Sequence, residues 1–125
     1  MKAGNNIHNG IMISYWISKT VYNKLTRIKR KSGRCLIDVF HVAVKHRFAY
    51  PELYSSAPSE PRPLRKKLRV SRATAVELAE LAWDANLSRS RYIADTVTIF
   101  LHFIDQSVLC NMLIRGKDIQ DRLLE

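Results

Sequence analysis

The sequence predicts a mainly α fold with one two-stranded antiparallel ribbon, assembled from two tandem strand–helix–helix units. Three observations predict it. An apolar pattern recurs after 53 residues without a gap: Tyr15, Ile17, Leu25, Ile28, Phe40, Val44 and Phe48 fall on Leu68, Val70, Leu78, Leu81, Ile93, Val97 and Leu101. A fixed internal period marks a repeated structural unit. Each copy opens with apolar and polar residues in alternation, the mark of a strand, and continues at helical spacing. Finally, a unit of about 40 residues buries too little apolar surface to fold alone, so the two copies in this 125-residue chain must share one core.

Residues 1–10 are polar and Asn-rich and read as a flexible arm; they lack the apolar core of a signal peptide. The first unit covers residues 11–50. Ile11, Ile13, Tyr15 and Ile17 alternate with Met12, Ser14 and Trp16, giving a strand with one buried face. Ser18 is a good N-cap for a helix over residues 19–31, whose inner face is Val21, Leu25 and Ile28. Ser32 and Gly33 end that helix, because glycine accepts the left-handed closing conformation. A second helix follows over residues 35–49, with Leu36, Val39, Phe40, Ala43, Val44 and Phe48 inward, and Pro51 stops it.

Residues 51–63 hold Pro51, Pro58, Pro61, Pro63 and the Ser55–Ser56 pair and read as a linker. The second unit covers residues 64–104. Leu68 and Val70 alternate with Lys67, Arg69 and Ser71, and Ser71 caps a helix over residues 73–85. Glu77, Glu80 and Asp84 are expected to solvate one surface of that helix. Asn86 takes the glycine's place in the turn, since asparagine also visits the left-handed region. Ser88 caps the last strongly patterned helix, with Tyr92, Ile93, Val97, Phe100, Leu101 and Ile104 apolar. In the tail, residues 105–125, the apolar Val108, Leu109, Met112 and Leu113 fit one more short helix, broken at Gly116.

The charge balance points to a polyanionic partner. Lys and Arg number 21 against 11 Asp and Glu, a net charge of +10, and residues 1–64 carry +8 of it. No run approaches 18 apolar residues, so no membrane span is expected, and no helix combines a clean apolar face with a lysine-rich opposite face, so no membrane-surface partner is expected either. Cys35 and Cys110 form no CxxC pair and sit in apolar stretches, so both are expected as buried, reduced thiols in a cytoplasmic protein. The histidines His8, His41, His46 and His102 are scattered, and neither a phosphate loop nor a nucleophile elbow is present. The sequence therefore points away from an enzyme, a metal site or a cofactor.

An isolated strand is a liability unless it pairs. The economical solution pairs the two strands antiparallel over the four helices, an intramolecular pseudo-dimer. Tyr15, Ile17, Leu68 and Val70 then point into the core, while Ser14, Trp16, Ser18, Lys67, Arg69 and Ser71 face solvent. A two-stranded ribbon fits the major groove of B-form DNA. Ser14, Trp16, Lys67, Arg69 and Ser71 are accordingly the expected base readers, with Arg69 suited to a bidentate contact on guanine. Trp16 either touches a sugar or a thymine methyl or packs on the N-terminal arm. Phosphate contacts are expected from Ser18 and from the start of each unit's second helix, where free amides and the helix dipole favour an anion: Gly33 and Arg34 in the first copy, Ser88 and Arg89 in the second.

The strand–helix–helix signature with its N-cap serines resembles the ribbon–helix–helix superfamily. Within it, the ungapped run from Met12 to the Ser32–Gly33–Arg34 turn, His46, and the closing Tyr50–Pro51 resemble the first repeat of the TraY family of conjugative-plasmid relaxosome accessory proteins. The Leu87–Ser88–Arg89–Ser90 turn is common to the wider superfamily. The likeness spans residues 12–104. It implies a double-stranded DNA-binding protein at an origin of transfer, acting beside a relaxase and a DNA-bending protein to promote nicking, and regulating the transfer promoter. The first strand departs from the family pattern, with Ser14 and Trp16 where a basic residue is expected. A stand-alone repressor or antitoxin of the same fold is the alternative, and a general polyanion or RNA binder a third. With both units in one chain, a monomer in solution is expected, with several copies on one DNA still open.

Overall fold

The computed structural model describes residues 10–115. Nearly all of the expected N-terminal arm and the last residues of the tail lie outside them. The chain is mainly helical, with a two-stranded antiparallel sheet and, among the described residues, five α-helices. The elements run β1 (Ile11–Ile17), α1 (Lys19–Ser32), α2 (Leu36–Ala49), a 3-10 turn (Pro51–Tyr54), β2 (Leu64–Val70), α3 (Arg72–Asp84), α4 (Arg89–Phe103) and α5 (Gln106–Arg115).

β1 and β2 pair along their full length, from Ile11 opposite Val70 to Ile17 opposite Leu64. Ile13, Tyr15, Ile17, Leu68 and Val70 are buried on the lower face. Burial pushes the Tyr15 phenol up to about 12. β2 begins at Leu64, earlier than the alternation at Lys67–Ser71 implies. The reason is Lys66, which occupies an inward register position and breaks the apolar pattern; its ammonium sits 4.1 Å from the centre of the Tyr22 ring.

The helices interlock. α4 packs beneath β1, α2 reaches β2, and α2 and α4 pack on each other. The second helix of each segment thus supports the strand of the other. At the crossing, Val39, Phe40, Val44, Ile93, Val97 and Phe100 are essentially sealed from water. Phe40 meets Tyr92 edge to face at 6.5 Å. Further ties cross between the segments: Lys24 Nζ donates to the Leu101 carbonyl at 3.2 Å, and Arg47 Nη1 to Thr96 Oγ1 at 2.9 Å.

Local chemistry explains the helix ends. Ser18, Ser71 and Ser88 accept hydrogen bonds from the amides of Val21, Thr74 and Arg91, each at 3.1 Å. Gly33 closes α1 at φ 72°, and Asn86 stands past α3 at φ 62°. There Leu87 N donates to the Ala82 carbonyl and Asn86 N to the Trp83 carbonyl, the paired bonds of a Schellman closure.

Several expectations are corrected. Phe48 is 55% exposed although its counterpart Leu101 is buried. Instead Tyr54, from the stretch read as linker, enters the core. Its hydroxyl lies 2.7 Å from His46 Nδ1, and Arg47 stands over its ring. Leu25 is only half-buried. Glu77 is buried rather than solvated. Cys110 is buried as expected, but Cys35 is exposed at the N-cap of α2. The tail helix α5 forms and packs on α1, burying Leu109, Cys110 and Leu113, while Val108 and Met112 face out. Among the described residues no single helix is long and apolar enough to cross a membrane.

Candidate nucleic-acid interface

The upper face of the ribbon is set by its register. Met12 stands opposite Arg69, Ser14 opposite Lys67, and Trp16 opposite Arg65. Since side chains alternate across a strand, these six share the solvent face. It carries three cations, all from β2, and no acidic residue lies on either strand. Ser14, Trp16, Lys67 and Arg69 are therefore brought together as the sequence implied.

Arg65, which the alternation at Lys67–Ser71 does not single out, joins this face opposite Trp16. Its Nη2 donates to Ser14 Oγ at 3.0 Å, and its guanidinium lies 5.8 Å from the Trp16 ring centre. It contacts Ser14 and Trp16, two of the three neutral side chains that β1 shows on this face. The signal was present, one alternation step before Lys67, but Lys66 hid it. Trp16 is 45% exposed, so its ring lies on the surface beside this cation. Gly10 supports the other end: an added Cβ there would stand 3.0 Å from Arg69 Cγ and 3.2 Å from the Val70 carbonyl. The missing side chain leaves room for Arg69 to lie along the strand end.

Ser71 and Ser18 lie beyond the strands. The Ser71 Oγ accepts from Thr74 N and donates to Thr74 Oγ1 at 3.0 Å. Ser18 is buried and committed to its cap. Both hydroxyls hold helix starts, Ser18 out of reach of solvent and Ser71 still exposed at the end of β2.

The two helix starts named as phosphate sites differ. Ser88 and Arg89 are exposed at the head of α4. The neighbouring Ser90 hydroxyl donates to the Ser14 carbonyl, which fixes this helix end against β1. A cleft of about 620 Å3 opens there between Trp16, Pro58, Arg62, Ser88, Ser90 and Arg91. Arg62 and Arg91 both hold Asp95, at 2.7 and 3.1 Å, so one carboxylate answers one of their two charges within the protein. At the head of α2, Gly33 is exposed but its amide donates to the Lys29 carbonyl at 2.8 Å, and Arg34 is engaged as well. Its Nε donates to the Leu113 carbonyl of α5 at 3.1 Å, and its Nη1 lies 3.9 Å from Asp38. Arg34 thus ties the tail helix to the body.

Among the described residues no group of three or more His, Cys, Asp or Glu side chains is arranged to hold a metal. The arrangement offers a narrow cationic ribbon with hydrogen-bond donors on its outer face and two helix starts. No protein-family model, curated protein sequence or solved structure matches the chain.

Proposed function

We propose that this chain is a tandem ribbon–helix–helix protein, an intramolecular pseudo-dimer that reads the major groove of double-stranded DNA with its ribbon. The observation that carries the reading is the register that lines up Arg65, Lys67 and Arg69 on one solvent face, opposite Trp16, Ser14 and Met12. Arg69 and Lys67 supply donors for guanine edges or phosphates; Trp16 and Met12 supply apolar contact for a thymine methyl or a sugar. The start of α2, where Cys35 makes no side-chain cap, on one flank, with Ser88 and Arg89 on the other, supplies phosphate contacts that set the register on the duplex; the Gly33 amide is itself given to the Lys29 carbonyl. The net charge of +10 adds sequence-independent affinity.

Within this class, the resemblance to the TraY family supports a relaxosome accessory role at an origin of transfer. Selection of bound duplexes from a random pool tests the DNA reading: an enriched site is expected, and equal recovery of all sequences contradicts it. Adding the protein to its cognate relaxase on supercoiled plasmid tests the narrower role. A rise in nicking supports it; repression of a promoter with no effect on nicking indicates a stand-alone repressor.

A further inference from the structure

α1 and α3 hold corresponding positions in the two segments, with α5 packed on α1 beside Arg27 and Lys31, yet the charges of their outer faces are opposite. α1 carries Lys19, Lys24, Arg27, Lys29, Arg30 and Lys31 and no acidic residue. α3 exposes Glu80 and Asp84 against the single cation Arg72, with Glu77 buried. Shifted by 53 residues, Arg27, Arg30 and Lys31 fall on Glu80, Trp83 and Asp84. All six of these side chains are exposed. Among the described residues no ion pair engages the five charged ones. Trp83 is 83% exposed and Val76, two turns away on the same face, is 62% exposed. A tryptophan so open to water, flanked by carboxylates, is unusual on a surface that meets only solvent.

We infer that this face of α3 docks on α1 of a second copy of the same chain. Trp83 would lie against the stems and guanidinium groups of Arg27 and Arg30, with Glu80 and Asp84 meeting Arg27 and Lys31. Charge selects the pairing: α1 against α1 opposes cations, α3 against α3 opposes carboxylates, and only α1 against α3 is complementary. Geometry makes the contact head to tail. α1 leaves the ribbon after Ile17 and α3 after Val70, and the antiparallel register puts those residues at opposite ends of a seven-residue ladder about 20 Å long. Each copy therefore has one donor end and one acceptor end, and the contact propagates as a row. One helix face against another is a small interface, so the contact is weak for free chains and gains strength when DNA aligns them. That alignment rests on the DNA reading above; the contact itself does not.

Sedimentation velocity without DNA at low ionic strength tests it. The wild type is expected to show an average mass that rises with concentration and falls back with added salt. Trp83→Ala is expected to weaken association about tenfold or more. Arg27→Glu/Arg30→Glu and Glu80→Lys/Asp84→Lys are each expected to remain single chains, and their equimolar mixture to associate as the wild type does. All these positions are exposed, so circular dichroism is expected to show unchanged folding. A wild type that stays monomeric up to about 1 mM overturns the inference. So does association of either reversed variant alone, or a mixture that fails to recover. Loss of sequence-specific DNA binding with intact self-association would instead remove only the DNA reading.

Discussion

β1 and β2 share a length, a register and a buried lower face, yet β1 displays Met12, Ser14 and Trp16 where β2 displays Arg65, Lys67 and Arg69. The same contrast runs through the helices: a cationic α1 against an acidic, tryptophan-bearing α3, and an Arg34 spent on the tail helix against an exposed Arg89. Two identical subunits cannot diverge in this way, because symmetry makes each pay for a change in the other. Two segments in one chain can. Most core positions match because both segments fill one interior, Phe48 against Leu101 being the exception, while the surfaces separate into a cationic strand and a neutral one. On the proposed DNA reading, a ribbon without twofold symmetry has no reason to prefer a palindrome, and an asymmetric site is the expected outcome.

The sharpest way to break the comparison is to ask whether the halves are one body. Phe40→Ala in α2 is expected to cost about 3–5 kcal/mol and Ile93→Ala in α4 about 2–5 kcal/mol. Both are expected to move the same single urea transition. Two separate transitions would mean that the segments fold independently.

The strands come next. Arg69→Ala is expected to lower discrimination by about 1–3 kcal/mol at one base position, whereas Met12→Ala, on the opposite strand and with no hydrogen bond to lose, changes it far less. Competition between specific and random duplexes reads the difference; equal losses on both DNAs contradict a base-reading role for Arg69.

The two helix starts give a finer contrast. Arg89→Ala is expected to flatten the salt dependence of DNA affinity by about 0.9 in log–log slope. Arg34→Ala is expected to leave that slope nearly unchanged and to cost about 1 kcal/mol of stability through the bond to Leu113. A reversal of these two results would exchange the roles.

The smallest effect concerns His46, whose burial beside Tyr54 and Phe100 lowers its pKa below the usual 6.5. The folded state then binds fewer protons than the unfolded one. Stability is therefore full above about pH 6.5 and declines as the pH falls through the lowered folded value. A urea midpoint at pH 8 above that at pH 5, with a smaller gap in His46→Gln, is the expected outcome.

Much of this was legible in the residues. Strict alternation from Ile11 to Ile17 marked β1, serines at 18, 71 and 88 marked three helix starts, and Asn86 marked a left-handed turn in place of glycine. What escaped was set by contacts distant in sequence. Lys66 at an inward position disguised the first half of β2, and with it Arg65. Tyr54 lay in a proline-rich stretch whose composition reads as linker, yet His46 and Arg47 give its ring a place in the core. Arg34 had the right type and position for a phosphate, and only the packing of α5 shows where its Nε points.

The most direct test of the central claim is dimethyl sulfate protection on DNA carrying the selected site, because this reagent methylates guanine N7 in the major groove. The ribbon reading predicts protection of guanines in one groove segment, with one guanine regaining reactivity in Arg69→Ala. Tight binding that leaves every guanine N7 as reactive as in free DNA would contradict it.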